Sequence, residues 1–237
     1  LDGVILPPPL CDSVAVLECV ANAGIPAVVV ACGSPAPGVG AVSIDDYQAA
    51  HYMTRHLIAL GHQRIGFVVG HPNQTASARR LDGYRKAIAE KGADASEELV
   101  VQGMFTYRSG LDAAEQLLAL ADRPTAIFAS NDDMAAATVA VAHRLGLDVP
   151  GDLTVTGFDD TALATTIWPE LTTVRQPIAG MAREAVQALV RRVRAQRENE
   201  PAAPEQTRMD FELVRRQSDA APRTRPPARL PAVAKAR

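Results

Sequence analysis

"TVTGFDDTALA", residues 154–164, decides how this chain is read. Side chains with strand propensity run from Leu153 to Phe158 and stop on two adjacent carboxylates, Asp159 and Asp160. A strand that reads as buried but ends on acids places those acids at the rim of a sheet. Upstream the pattern recurs. "TAIFAS" ends on Asn131 and Asp132, "ELVVQG" leads to Phe105, and "IGFVVG" leads to the stretch from Gln74 to Arg80. Helical spacing separates these strands over about 78–91, 108–120 and 133–145. Four strands alternating with three helices describe a doubly wound parallel sheet, an α/β fold. In such sheets ligands gather beyond the carboxyl ends of the strands, where helix N-termini and backbone donors face the solvent.

Toward the N-terminus, "DGVIL" reads as a strand ended by Pro7, Pro8 and Pro9. A helix over residues 13–23 is closed by Gly24, and "IPAVVV" forms a second strand, so the unit is again parallel. "CGSPAPGVG" reads as a loop and "AVSI" as extended. The next helix is capped by Asp45 or Asp46, carries Ala50, Met53, Leu57 and Leu60 on one face, and ends at Gly61. A last long helix runs from Ile178 to about Arg194. A polar loop, "AQRENEPAAPEQ", then precedes a final strand, "DFELV".

The 237 residues are 47% apolar and 4% aromatic, an Ala/Val/Leu-rich composition typical of soluble α/β proteins. No apolar run approaches the roughly 20 residues of a membrane helix, and "LDGVILPPPL" lacks the order of a signal peptide, so no membrane contact and a cytoplasmic location are expected. Cys11, Cys19 and Cys32 are odd in number and lack metal-ligand spacing; no metal is expected, and the thiols read as small apolar side chains. The net charge of −3 divides unevenly: residues 215–237 carry +6 and residues 1–214 carry −9. An acidic body argues against broad contact with a phosphate backbone. The basic, Pro-rich end, residues 218–237, is expected to be disordered.

The rim lacks the equipment of an enzyme. There is no G-x-S-x-G elbow, no Gly-rich phosphate loop with Lys and no H-E-x-x-H helix, and the five histidines do not pair at i, i+4. No catalytic residue and no cofactor are expected. Asp159 and Asp160, as chain neighbours, point to different sides and would not share a proton. The rim set is a carboxylate, an amide, a guanidinium and a ring: Asp159, Asn131, Arg80 and Phe105. Such a set grips hydroxyls and packs on a flat face without making bonds.

Several stretches resemble the regulatory core of the LacI/GalR family of transcription factors. They include "VSIDDYQAAHYMTRHLIALGHQRIGFVVG", "RRLDGYRKAI", "RPTAIFASNDDMAAATVAVAHRLGLDVPGDLTVTGFDD", "PELTTVRQP" and "ELVRRQS", and the resemblance spans nearly all of residues 1–218. It implies a two-lobed, periplasmic-binding-protein-like fold with an incomplete first lobe. One lobe would hold residues 1–61 and 177–207, and the other residues 62–176 and 208–217. It also implies that Asp159 and Arg80 hold the effector, Phe105 stacks on it, Asn131 and Gln176 add polar contacts, and Gln74 lies in the loop that tunes ligand choice. Many sugar-binding members carry an acid after the "PAVVV" strand; Ala31 and Cys32 stand here. The implied partners are a small-molecule effector, a sugar in preference to a nucleobase, and a second copy in a homodimer. Operator DNA would be reached only through a helix-turn-helix preceding Leu1. The other two-lobed reading is a periplasmic-type sugar-binding protein of a transport system.

Overall fold

The computed structural model describes residues 1–200 and 203–223. It begins with β1 (Val4–Leu6), α1 (Val14–Asn22), β2 (Ala27–Val30), β3 (Gly40–Ile44) and α2 (Asp46–Ala59). Ser13 caps α1 by accepting from the Val16 amide at 3.4 Å, and Asp45 caps α2 by accepting from the Gln48 amide at 3.1 Å. Alternation continues through β4 (Ile65–Val69), α3 (Thr75–Lys91), β5 (Val100–Gln102), α4 (Tyr107–Leu118), β6 (Ala126–Ala129), α5 (Asp132–Arg144) and β7 (Thr154–Asp159). The described elements end with α6 (Leu163–Thr166), β8 (Thr172–Arg175), α7 (Ile178–Arg197), β9 (Gln206–Met209) and β10 (Glu212–Val214).

Two sheets result. The first has the order β1-β2-β3-β9, all parallel. The second has the order β10-β8-β7-β6-β4-β5, parallel except for β10, which runs antiparallel to β8. Every residue of β4 and β6 is buried, which is why these strands read as unbroken apolar runs rather than as alternation. Helices cover both faces, with Met53, Leu57, Phe67, Tyr84 and Phe128 in one core cluster and Leu117, Ile127, Met134 and Val155 in another. Among the described residues no helix is long and apolar enough to cross a membrane.

The structure moves three expected boundaries. The first unit was expected to reach Gly61, but α2 packs along α3 and reaches β8, so the chain leaves the first sheet at Asp45. Gly83 permits this packing: a Cβ there would overlap the Tyr47 carbonyl oxygen, so only glycine lets the two helices approach this closely. Arg208, expected in the second unit, pairs with Ser43 inside the first sheet. Chain exchange therefore falls between Met209 and Glu212, where the expected single strand "DFELV" is replaced by β9 and β10. Residues 218 and 219, expected to belong to a disordered tail, are instead tied into the second unit. Ser218 and Asp219 are buried, the Val155 amide donates to the Ser218 carbonyl at 2.9 Å, and the Thr172 hydroxyl donates to Asp219 at 2.5 Å. Residues 224–237 lie outside the described residues.

Gly83→Ala is expected to lower stability by about 1–3 kcal/mol through overpacking against backbone. Urea unfolding measures this; an unchanged midpoint contradicts the close helix contact.

Candidate functional site

Parallel strands bring their carboxyl ends to one edge, and the second sheet places the tips of β4, β6 and β7 side by side there. Arg80, in the second turn of α3, lies under this edge and is buried. Its Nε donates to Asp46 Oδ1 at 2.8 Å and its Nη1 to the Ser130 carbonyl at 2.5 Å. The guanidinium carbon stands 3.6 Å above the Phe158 ring and 5.7 Å from the Phe105 ring, while Nη1 lies 3.7 Å from Asp159 Oδ1. Arg80, Phe105 and Asp159, from separate elements, are thus brought together.

Asp159 keeps about a quarter of its side chain exposed (24%), and its Oδ1 accepts from Gln176 Nε2 at 2.7 Å. Burial pushes its carboxyl up to about 6, although the Arg80 charge pulls it down. Asp160 turns elsewhere, accepting from Arg175 Nε and Arg216 Nη2 at 2.6 Å each. Burial works against its charge, but these two guanidinium groups hold it below the usual carboxylate range. The expected division of the two acids therefore appears, by a route the pattern did not show. Both residues sit at positive φ, +106° and +55°.

Phe105 also has positive φ, +58°, and its ring lies on Gly70, where any Cβ would overlap it. Asn131 is largely occupied internally: Oδ1 caps α5 through the Met134 amide at 3.0 Å, and Nδ2 donates to the Phe105 carbonyl at 3.0 Å. Its visible work is to hold Phe105. Gln74 occupies the N-cap position of α3 without a side-chain capping bond.

One participant escaped sequence reasoning, and another takes a different place from the one expected. Asp46 looked like a spare helix cap, yet it is the buried partner of Arg80; the doubled acid "DD" was its only signal. Asp132, read as a rim group, is fully buried and accepts from the Thr161 amide and hydroxyl and from the Thr173 hydroxyl. It pins the loop that carries Asp159. Opposite this edge the first sheet presents its own strand tips. There the Thr75 hydroxyl, at the start of α3, donates to Asp12 at 2.6 Å and accepts from the Ser34 amide at 3.1 Å, so the two units touch at one lip.

The arrangement has known counterparts. The periplasmic binding protein-like domain matches residues 54–218. The HTH-type transcriptional regulator DegA of Bacillus subtilis is 39% identical over 175 residues, 73% of this chain and 51% of DegA. This chain thus spans about half the length of the curated relatives it matches. A transcriptional regulator CelR–cellobiose complex superposes with a TM-score of 0.85 at 34% identity, covering 92% of this chain and 66% of that one. A LacI family transcriptional regulator from Mycobacterium smegmatis gives 0.83 at 30%, covering 94% and 80%.

Because Asp159 protonates near 6 when folded and near 4 when unfolded, the folded state binds that proton more tightly, and stability from this group falls as pH rises from about 4 through 6. Asp159→Asn removes this penalty. The variant is expected to exceed the parent by up to about 2 kcal/mol at pH 7.5 and to match it near pH 4. Urea unfolding at the two pH values is the check, and a variant less stable at pH 7.5 refutes the buried-charge account.

Proposed function

The chain belongs to the LacI family of transcriptional regulators through their periplasmic binding protein-like domain, and we propose that it is the effector-binding core of such a regulator, taking a sugar between its two units. The single observation that carries this reading is the partly exposed Asp159 carboxylate, set beside the Arg80 guanidinium and the Phe105 ring at converging strand tips. An ionised carboxylate accepts from two neighbouring sugar hydroxyls, Gln176 adds an amide, and the ring packs on the apolar face of a pyranose. The similarity to a regulator solved with cellobiose supports the sugar class.

The set binds without altering what it binds. Closure of the units around the effector would be passed, within a homodimer, to a helix-turn-helix outside this chain, changing operator affinity. A coupling of about 1–3 kcal/mol corresponds to a roughly 5- to 150-fold change. A handful of contacts made in only one state is enough.

Calorimetry of the chain against a panel of mono- and disaccharides and purine bases tests the proposal. A saccharide is expected to bind. Asp159→Ala should then weaken it at least about tenfold, and Phe105→Ala by roughly 2- to 10-fold, with folding retained. Saccharide affinity should also fall below about pH 6 as Asp159 takes up its proton. A purine bound in place of every sugar replaces the effector class, and unchanged affinity in Asp159→Ala removes the site.

A further inference from the structure

Cys11 and Cys32 are 21 residues apart in sequence, a spacing that suggests no ligand motif. The fold cancels that distance. Cys11 lies in a one-turn helix beyond β1 and Cys32 lies two residues beyond β2; since β1 and β2 are parallel neighbours, their outgoing loops stand side by side. Asp12 follows Cys11 directly. Its Oδ2 is 3.4 Å from Cys11 Sγ and its Oδ1 is 3.4 Å from Cys32 Sγ, and the three ligand atoms all fit within 4.8 Å. Across the lip, Thr75 Oγ1 stands 3.5 Å from Cys32 Sγ.

These separations carry chemical meaning. Around a tetrahedral zinc ion, with sulfur at about 2.3 Å and oxygen at about 2.1 Å, neighbouring sulfur and oxygen ligands lie about 3.6 Å apart. Each thiol sulfur already lies near that edge distance from an Asp12 oxygen, Cys11 from Oδ2 and Cys32 from Oδ1, at 3.4 Å in both cases. Both sulfurs are buried, at 1% and 2% exposure, so a bound ion would be largely shielded from water. Among the described residues the Asp12 carboxylate meets only the two thiols and the Thr75 hydroxyl. Two soft sulfurs with one carboxylate select zinc-class ions over magnesium or calcium, which prefer all-oxygen cages.

We propose that Cys11, Asp12 and Cys32 form a binding site for a zinc-class divalent cation at the lip where the two units touch, with the fourth position turned toward Thr75. Binding deprotonates both thiols and releases two protons, with no change of oxidation state. The site rests on the two-unit arrangement but not on the sugar assignment.

The test is titration of Co2+ into the reduced chain, followed by displacement with Zn2+. Expected are a thiolate-to-cobalt charge-transfer band and the intense visible bands of tetrahedral cobalt, both saturating at one equivalent and lost on adding zinc. Cys32→Ser or Asp12→Asn should weaken cobalt binding at least about 100-fold. Cys19→Ser, at an exposed thiol, should leave it unchanged. Absence of the charge-transfer band in the unaltered chain overturns the proposal whatever the variants do, as does an undiminished band in Cys32→Ser. Saccharide calorimetry on Cys32→Ser reports separately on the sugar site.

Discussion

A guanidinium removed from water needs compensation from several sides at once, and the rim of the second sheet is organised around that need. Desolvating an unpaired charge costs several kcal/mol. Arg80 meets this cost with Asp46 from α2, the Ser130 carbonyl from the end of β6, Asp159 from the end of β7 and the face of Phe158. A cation over a ring in a desolvated setting contributes about 2 kcal/mol. Because the partners come from different elements, satisfying Arg80 fixes the relative positions of α2, α3 and the two strand tips. The effector side chains then inherit a rigid floor.

On that floor sit backbones in unfavourable conformations. Phe105, Asp159 and Asp160 occupy the left-handed region, at a cost of order 1–3 kcal/mol each. Asn131 ties down the first of them, and Asp132, through Thr161, ties down the loop following the other two. Strain concentrated at the strand tips, in Phe105 and Asp159 which face the cleft and in the neighbouring Asp160, and held by buried polar ties, is what a preorganised binding edge requires.

The alternation from β4 to β7 was legible because buried parallel strands leave continuous apolar runs and their helices carry recognisable caps. Asp45, Gly61 and the "GFDD" ending each mark a boundary by local chemistry. Other features have no local cause. β8, "TTVR", and β9, "QTRM", are polar and short, and they are strands only because neighbours supply the ladder. The close packing of α2 on α3 needs Gly83, some thirty residues away. In the site, Asp159, Arg80 and Phe105 could be placed at strand ends from pattern alone. Their convergence, the role of Asp46 and the meeting of Cys11 with Cys32 follow from sheet order, which no window of sequence encodes.

The stretch from Gln217 to Ala220 works as a lace. The Gln217 amide donates to Glu170, Ser218 bonds Val155 in both directions, and the Ala220 carbonyl accepts from Thr154 while meeting the buried His62. One short segment thereby joins the openings of β7 and β8 to the turn before β4, at the end of the sheet opposite the cleft. Cleavage before Gln217 would unfasten the rear of the sheet while sparing every side chain that faces the ligand.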